Sequence, residues 1–213
     1  MSNFLQQTLL HRDEHFIVIN KPAGVLSVPG KGDLSDSVLT RLQAIEPNVL
    51  LIHRLDRDTS GILVFALNKA AQSHISKQFQ NRQTDKQYHA LVSGYLTGKG
   101  SVDVPVNYDA TRPPLHIADP HHNKPALTHW QAVEQFEIHH HAVTRVKLTP
   151  ITGRSHQLRV HMQHLGHAII GDTLYASVQA QQVMPRLCLH AERLSFFHPI
   201  SGEQLNYVCP APF

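Results

Sequence analysis

The sequence predicts an α+β fold built on a mostly antiparallel sheet, and three observations carry that expectation. Strand-like apolar runs outnumber helix-like ones. The two kinds do not alternate regularly, as they would in a Rossmann-type array of βαβ units. The chain has 213 residues, 41% hydrophobic and 16% charged. That is too apolar and too weakly charged for disorder, and enough to bury a core in a single domain of one or two lobes.

Each element follows from local pattern. Phe16 to Asn20 (FIVIN) reads as a strand stopped by Pro22. Asp36 to Ile45 places Val38, Leu39, Leu42 and Ile45 on one helical face, with Asp36 as the expected N-cap. Leu50 to Ile52 is apolar and brief. Ile62 to Leu67 is a continuous apolar run, the pattern of a buried strand. Asn68 to Gln80 repeats apolar residues at Ala71, Ile75 and Phe79, which predicts an amphipathic helix. Gln87 to Gly94 reads as a strand. Asp109 to Lys124, with Pro113, Pro114 and Pro120, reads as a long exposed loop. Thr128 to Ile138 and Val143 to Leu148 form an expected hairpin around His139, His140 and His141. Ser155 to Leu165 reads as a helix capped by Ser155 or Thr152, and Arg193 to Phe197 and Gln204 to Val208 as closing strands.

Composition narrows the function. Net charge is +3 with histidines neutral, a modest excess that permits an anionic partner such as RNA without requiring one. No apolar run reaches the roughly 20 residues of a membrane helix. The first residues, MSNFLQQTLLHRDEHF, lack a basic start followed by an apolar stretch, so no secretory signal is expected. Cys188 and Cys209 are too few for a disulfide framework, and a reduced cytoplasm is the expected location. The 18 histidines raise the possibility of a metal-dependent hydrolase, with His161, His164 and His167 spaced by three. Neither an HExxH pattern nor a zinc-type Cys/His arrangement is present, so no metal is expected.

Two clusters carry chemistry. His53-Arg54-Leu55-Asp56-Arg57-Asp58-Thr59-Ser60-Gly61 lies between apolar segments. Neighbouring cations favour the charged form of a carboxylate, so Asp56 suits a nucleophile or a base, or else belongs to a surface salt-bridge loop. In the second cluster, Thr149 to Met162, Gly153 permits a sharp turn and Arg154 stands just before a helix. Such a site holds a phosphate or orients a carboxylate; the alternative is an ordinary helix start.

Together these segments resemble the RluA family of pseudouridine synthases. The resemblance is carried by NKPAGVLSVPG, HRLDRDTSG, KQYHALVSG, GRSHQLRVHM, LGHAIIGDTLYAS and LCLHAERLSFFHP, in that order, from about Leu10 to Phe213. Within the family the chain is most similar to the short members acting on large-subunit rRNA and tRNA. No S4-like domain is expected, because the catalytic pattern starts near residue 10.

The resemblance implies a pseudouridine synthase fold, with a mixed, mostly antiparallel central sheet flanked by helices and loops and a catalytic cleft across it. It implies isomerisation of specific uridines in 23S rRNA, tRNA or both, after the base has left the stack, with no cofactor. It assigns Asp56 as the catalytic aspartate, Tyr88 as the tyrosine against the target base and Arg154 as the aspartate's partner. Arg54 would fill the gap the uridine leaves. Tyr88 alone also reads as a core tyrosine. Lys21, Arg57, Lys86 and Arg159 lie beside the motifs as candidate phosphate contacts, the alternative for each being a solvated charge. The expected partner is RNA, with no membrane or DNA role and a monomeric chain. Two other functions compete: a tRNA-only synthase, and a non-catalytic RNA-binding protein, which the intact Asp56, Tyr88 and Arg154 argue against.

Overall fold

The computed structural model describes residues 3–30 and 32–213. In chain order the elements are α1 (Asn3–Thr8), β1 (Leu9–Arg12), β2 (Phe16–Lys21), α2 (Val38–Gln43), β3 (Leu50–Leu51), β4 (Ser60–Ala66) and α3 (Lys69–Gln80). They continue with β5 (Asp85–Ser93), β6 (Lys99–Asp103), β7 (Val106–Tyr108), β8 (His116–Ala118), β9 (Leu127–Ile138), β10 (His141–Pro150), α4 (Gln157–His164), α5 (Val178–Gln182), β11 (Leu189–Phe197) and β12 (Gln204–Val208). They form two compact units. The first runs to Lys86 and resumes over Ala191–Pro212; the second comprises Gln87–His190 and Phe213. The pairs β1–β2, β2–β4, β3–β4, β5–β10, β9–β10, β6–β9, β7–β8 and β11–β12 are antiparallel and the helices few, so the α+β expectation holds. Among the described residues no helix is long and apolar enough to cross a membrane.

In the first unit β2 pairs with β1 and β4, β3 pairs with β4, and β12 with β11. Phe16, Val18, Ile62, Val64 and Phe196 meet Ile75 of α3 in one core. Ile17, Ile19, Leu63 and Phe65, on the other side of β2 and β4, are equally buried. Burial of both faces explains why these strands read as continuous apolar runs.

In the second unit β10 pairs with β9 along ten residues and with β5 on its other side, and β6 pairs with β9. Leu158 and Met162 of α4 close a core with Ala90, Leu91, Val92, Val146 and Leu148. The β9–β10 turn is made by His139 and His140, both with positive φ (49° and 61°). That geometry usually selects Asn and Gly.

Three local expectations are corrected. The α2 cap is Ser37, whose hydroxyl and Thr40 form a reciprocal capping box; Asp36 instead grips Arg41 through two hydrogen bonds (2.7 and 2.6 Å). Helix α4 begins later than expected, with His156 as N-cap and no side-chain cap from Ser155 or Thr152. The presumed loop from Asp109 contains β8, which pairs with β7; three-residue strands are too short to show a period.

Candidate active site

Asp56 lies in an irregular segment between β3 and β4, and the first unit holds its neighbours by backbone contacts. The Ser27 hydroxyl donates to the Leu55 carbonyl (2.7 Å) and accepts the Leu55 N–H (3.1 Å), clamping the residue before Asp56. On the other side, Lys21 Nζ donates to the carbonyl of Arg57 (2.8 Å) and to those of Pro22 (2.9 Å) and Val25 (2.7 Å). Three acceptors call for three N–H donors, so this nitrogen is the ammonium. Asp56 is half-buried between these anchors, and Arg54 beside it is exposed. The segment enters β4 at Gly61, whose φ is +113°; a Cβ there would stand 2.3 Å from the Ala191 carbonyl oxygen of β11, so only glycine fits.

His53, which opens the segment, is a structural histidine. Its Nε2 accepts the Val64 N–H (3.1 Å), and its ring stacks on Phe79 at 4.4 Å between centroids. Burial, helped by the positive charge of Lys86, pushes its pKa down to about 3. Burial also lowers Lys86 itself, with Arg82 adding to the effect. The unfolded imidazole takes its proton near pH 6.5, well before the folded one, so stability falls as pH drops below about 6.5. The slope from His53 is at most about 1.4 kcal/mol per pH unit. His161, also lowered chiefly by burial, contributes with the same sign. His53→Gln keeps an acceptor for Val64 and should flatten the urea-unfolding free energy between pH 6.5 and 4.5. A slope equal to wild type would assign the proton uptake elsewhere.

The second unit carries the other implied catalytic groups. Tyr88 stands on β5 opposite Leu148, half-buried against the core of that unit. Arg154 lies in the turn between β10 and α4. Its Nε donates to the Pro125 carbonyl (3.2 Å), which leaves the two Nη groups as donors for an anion. Gln157 shapes this turn: its Oε1 accepts from the Thr152 hydroxyl (2.8 Å) and the Arg154 N–H (3.0 Å), while its Nε2 donates to Leu127 O (3.0 Å) and Thr128 Oγ1 (2.9 Å). The candidate catalytic set is therefore divided, with Asp56 and Arg54 in one unit and Tyr88 and Arg154 in the other.

Two candidate phosphate contacts are corrected. Lys21 is fully buried and spends its ammonium on three carbonyls. Arg159 is buried and makes a bidentate pair with the buried Asp172 (2.8 and 2.7 Å). Neither cation is presented to a ligand on the surface. Arg57 is exposed, though its guanidinium lies against Asp58 (3.0 Å), and Lys86 is half-buried. Ser27 and Gln157 carry no signal in the sequence beyond their place in the ordered motifs. Of the histidines spaced by three, His161 and His167 serve packing, while His164 is exposed. His161 is buried between Thr128 Oγ1 and the Val104 carbonyl (both 2.9 Å), and His167 Nδ1 meets the Ser93 carbonyl (2.9 Å).

Comparison with known proteins identifies the family. The model of the RNA pseudouridylate synthase family matches residues 15–164. The dual-specificity RNA pseudouridine synthase RluA of Pasteurella multocida is 46% identical over 207 residues, covering 96% of this chain and 93% of that protein. The protein of the same name from Escherichia coli K12 is 45% identical over the same span. Among solved structures, human RNA pseudouridylate synthase domain containing 1 superposes with a TM-score of 0.83 at 32% identity, over 97% of this chain and 84% of its own. Human RNA pseudouridylate synthase domain containing 4 follows at 0.74 and 26%, over 98% and 90%. With a family match over most of its length and relatives this similar end to end, the chain belongs to the RNA pseudouridylate synthase family and is an RNA pseudouridine synthase.

Proposed function

We propose that this enzyme isomerises specific uridines of 23S rRNA and of the tRNA anticodon stem-loop, as a cytoplasmic monomer, with Asp56 as the catalytic carboxylate. The observation that carries the assignment is the immobilised segment around Asp56, clamped at Leu55 by Ser27 and at Arg57 by Lys21. A carboxylate whose two flanking residues are held by their backbones is preorganised for work at an anomeric carbon, where such groups attack or stabilise a cationic transition state.

In the reaction the N1–C1′ bond of the uridine breaks, the uracil turns, and C5 bonds to C1′ of the same ribose. The C5 proton leaves and N1 gains one, so atoms and electrons balance without a co-reactant. Asp56 either attacks C1′ or removes the C2′ proton. The Nη groups of Arg154 are donors of the kind that grip a carboxylate, and Tyr88 offers the base a flat face and a hydroxyl near C5. The base must leave the stack at a cost of about a few kcal/mol. Exposed Arg54, beside Asp56, fills the gap and offsets part of it. Arg57 and Lys86 are the remaining candidates for phosphate contact.

RNA carrying tritium at uridine C5 tests the reading, because the label is released when pseudouridine forms. Release is expected from unmodified 23S rRNA and from tRNA transcripts, assayed separately. Release from tRNA alone would replace dual specificity by a tRNA-only activity, and RNA binding without release from either would overturn the substrate assignment.

A further inference from the structure

The turn that presents Arg154 is braced on one side by Gln157. On the other side it meets a chain of contacts to which the mechanism above gives no role. His156, the N-cap of α4, sits in the left-handed region (φ 56°, ψ 10°). A non-glycine residue stays there only when its surroundings hold it. Its Nδ1 lies 2.6 Å from the Tyr175 hydroxyl, which also accepts the backbone N–H of His116 in β8 (2.9 Å). The Tyr175 oxygen thus accepts the His116 N–H and shares a second hydrogen bond with the imidazole, whose direction follows the His156 tautomer. The His116 ring packs on the His156 ring at 4.7 Å between centroids.

Tyr175 is itself fixed from the body of α4. Asp172 Oδ1 accepts the N–H groups of Leu174 (2.9 Å) and Tyr175 (3.2 Å), and both Asp172 oxygens are gripped by Arg159. The Arg159 guanidinium stands 5.0 Å from the Tyr175 ring centroid. The contacts thus close a ring, from Arg159 on α4 through Asp172 and Tyr175 back to His156 at the start of the same helix. This ring explains why Arg159 is buried, and it ends two residues from Arg154.

We propose that Tyr175 and His156 form a hydroxyl–imidazole pair that positions Arg154, a role that rests on the catalytic reading of Arg154 given above. The pair sets the left-handed turn at His156 and hence the direction from which the guanidinium meets its anion. Neither residue is asked to touch RNA. Positioning of this kind acts on rate, because small misplacements of a catalytic group are costly while ground-state binding spreads over many contacts.

The test uses single-turnover tritium release, RNA affinity and thermal unfolding of the full chain. Tyr175→Phe keeps the ring against Arg159 and removes only the hydroxyl. Its rate should fall about ten- to a hundred-fold, with RNA affinity and melting temperature close to wild type. His156→Asn, a residue that tolerates the left-handed turn, should show the same fall, and the double variant no more than the larger single effect. Arg154→Ala serves as the reference and should be slower than either. Wild-type rate in Tyr175→Phe beside a slow Arg154→Ala overturns the pair and leaves the Arg154 reading standing. Additive losses, or losses that track melting temperature or RNA affinity, also overturn it. Full activity in Arg154→Ala removes the reading and the pair together. If Tyr175→Phe does not fold, the rate of His156→Asn decides alone.

Discussion

Asp56→Asn should lose pseudouridine formation by roughly 10⁴-fold or more, with RNA affinity little changed. Asparagine keeps the size of the side chain and one carbonyl oxygen but cannot carry the negative charge that attack on C1′ or proton removal from C2′ requires. The anchors of this segment are backbone groups of Leu55 and Arg57, which the substitution does not touch. The loss should therefore appear in the single-turnover rate of tritium release. Turnover at the wild-type rate would move the catalytic role to another residue. Loss of RNA binding in parallel would make Asp56 a binding group.

Lys21→Met should cost about 2–4 kcal/mol of stability and slow the reaction further than that loss of fold accounts for. Methionine fits the buried volume but leaves the carbonyls of Pro22, Val25 and Arg57 without their shared donor. Buried acceptors stripped of a partner are expensive. Lys21→Arg is not expected to rescue the enzyme, since a planar fork does not match three carbonyls converging on one nitrogen. Urea unfolding and single-turnover rates measure both effects. A midpoint within a few tenths molar of wild type would return Lys21 to the class of incidental cations.

The contrast between Lys21 and Arg54 shows what could be read in advance. Both are cations inside motifs, Arg54 implied by the resemblance to fill the gap the uridine leaves and Lys21 read as a candidate phosphate contact. Arg54 is exposed next to Asp56, whereas Lys21 is an internal strut. Arg159 repeats the point, because its partner Asp172 lies in a turn 13 residues further on. The start of α4 was misread for a related reason. Serine and threonine are good caps in isolation, but Thr152 donates to Gln157 and His156 takes the cap position, tied to Tyr175 nineteen residues away.

The sequence by itself determined the strands β2 and β4, the helix α3 and the β9–β10 hairpin, because burial of their faces leaves a periodic or continuous apolar record within a dozen residues. It also determined the family, through ordered motifs whose residue types the chemistry demands. The tertiary structure alone decided which cations face solvent, which residue caps α4, and which groups brace Asp56 and Arg154. Those outcomes depend on hydrogen bonds between segments remote in the chain, such as the 36 residues separating Lys21 from Arg57. A buried polar group takes the partner that folding brings to it, and no local window contains that partner.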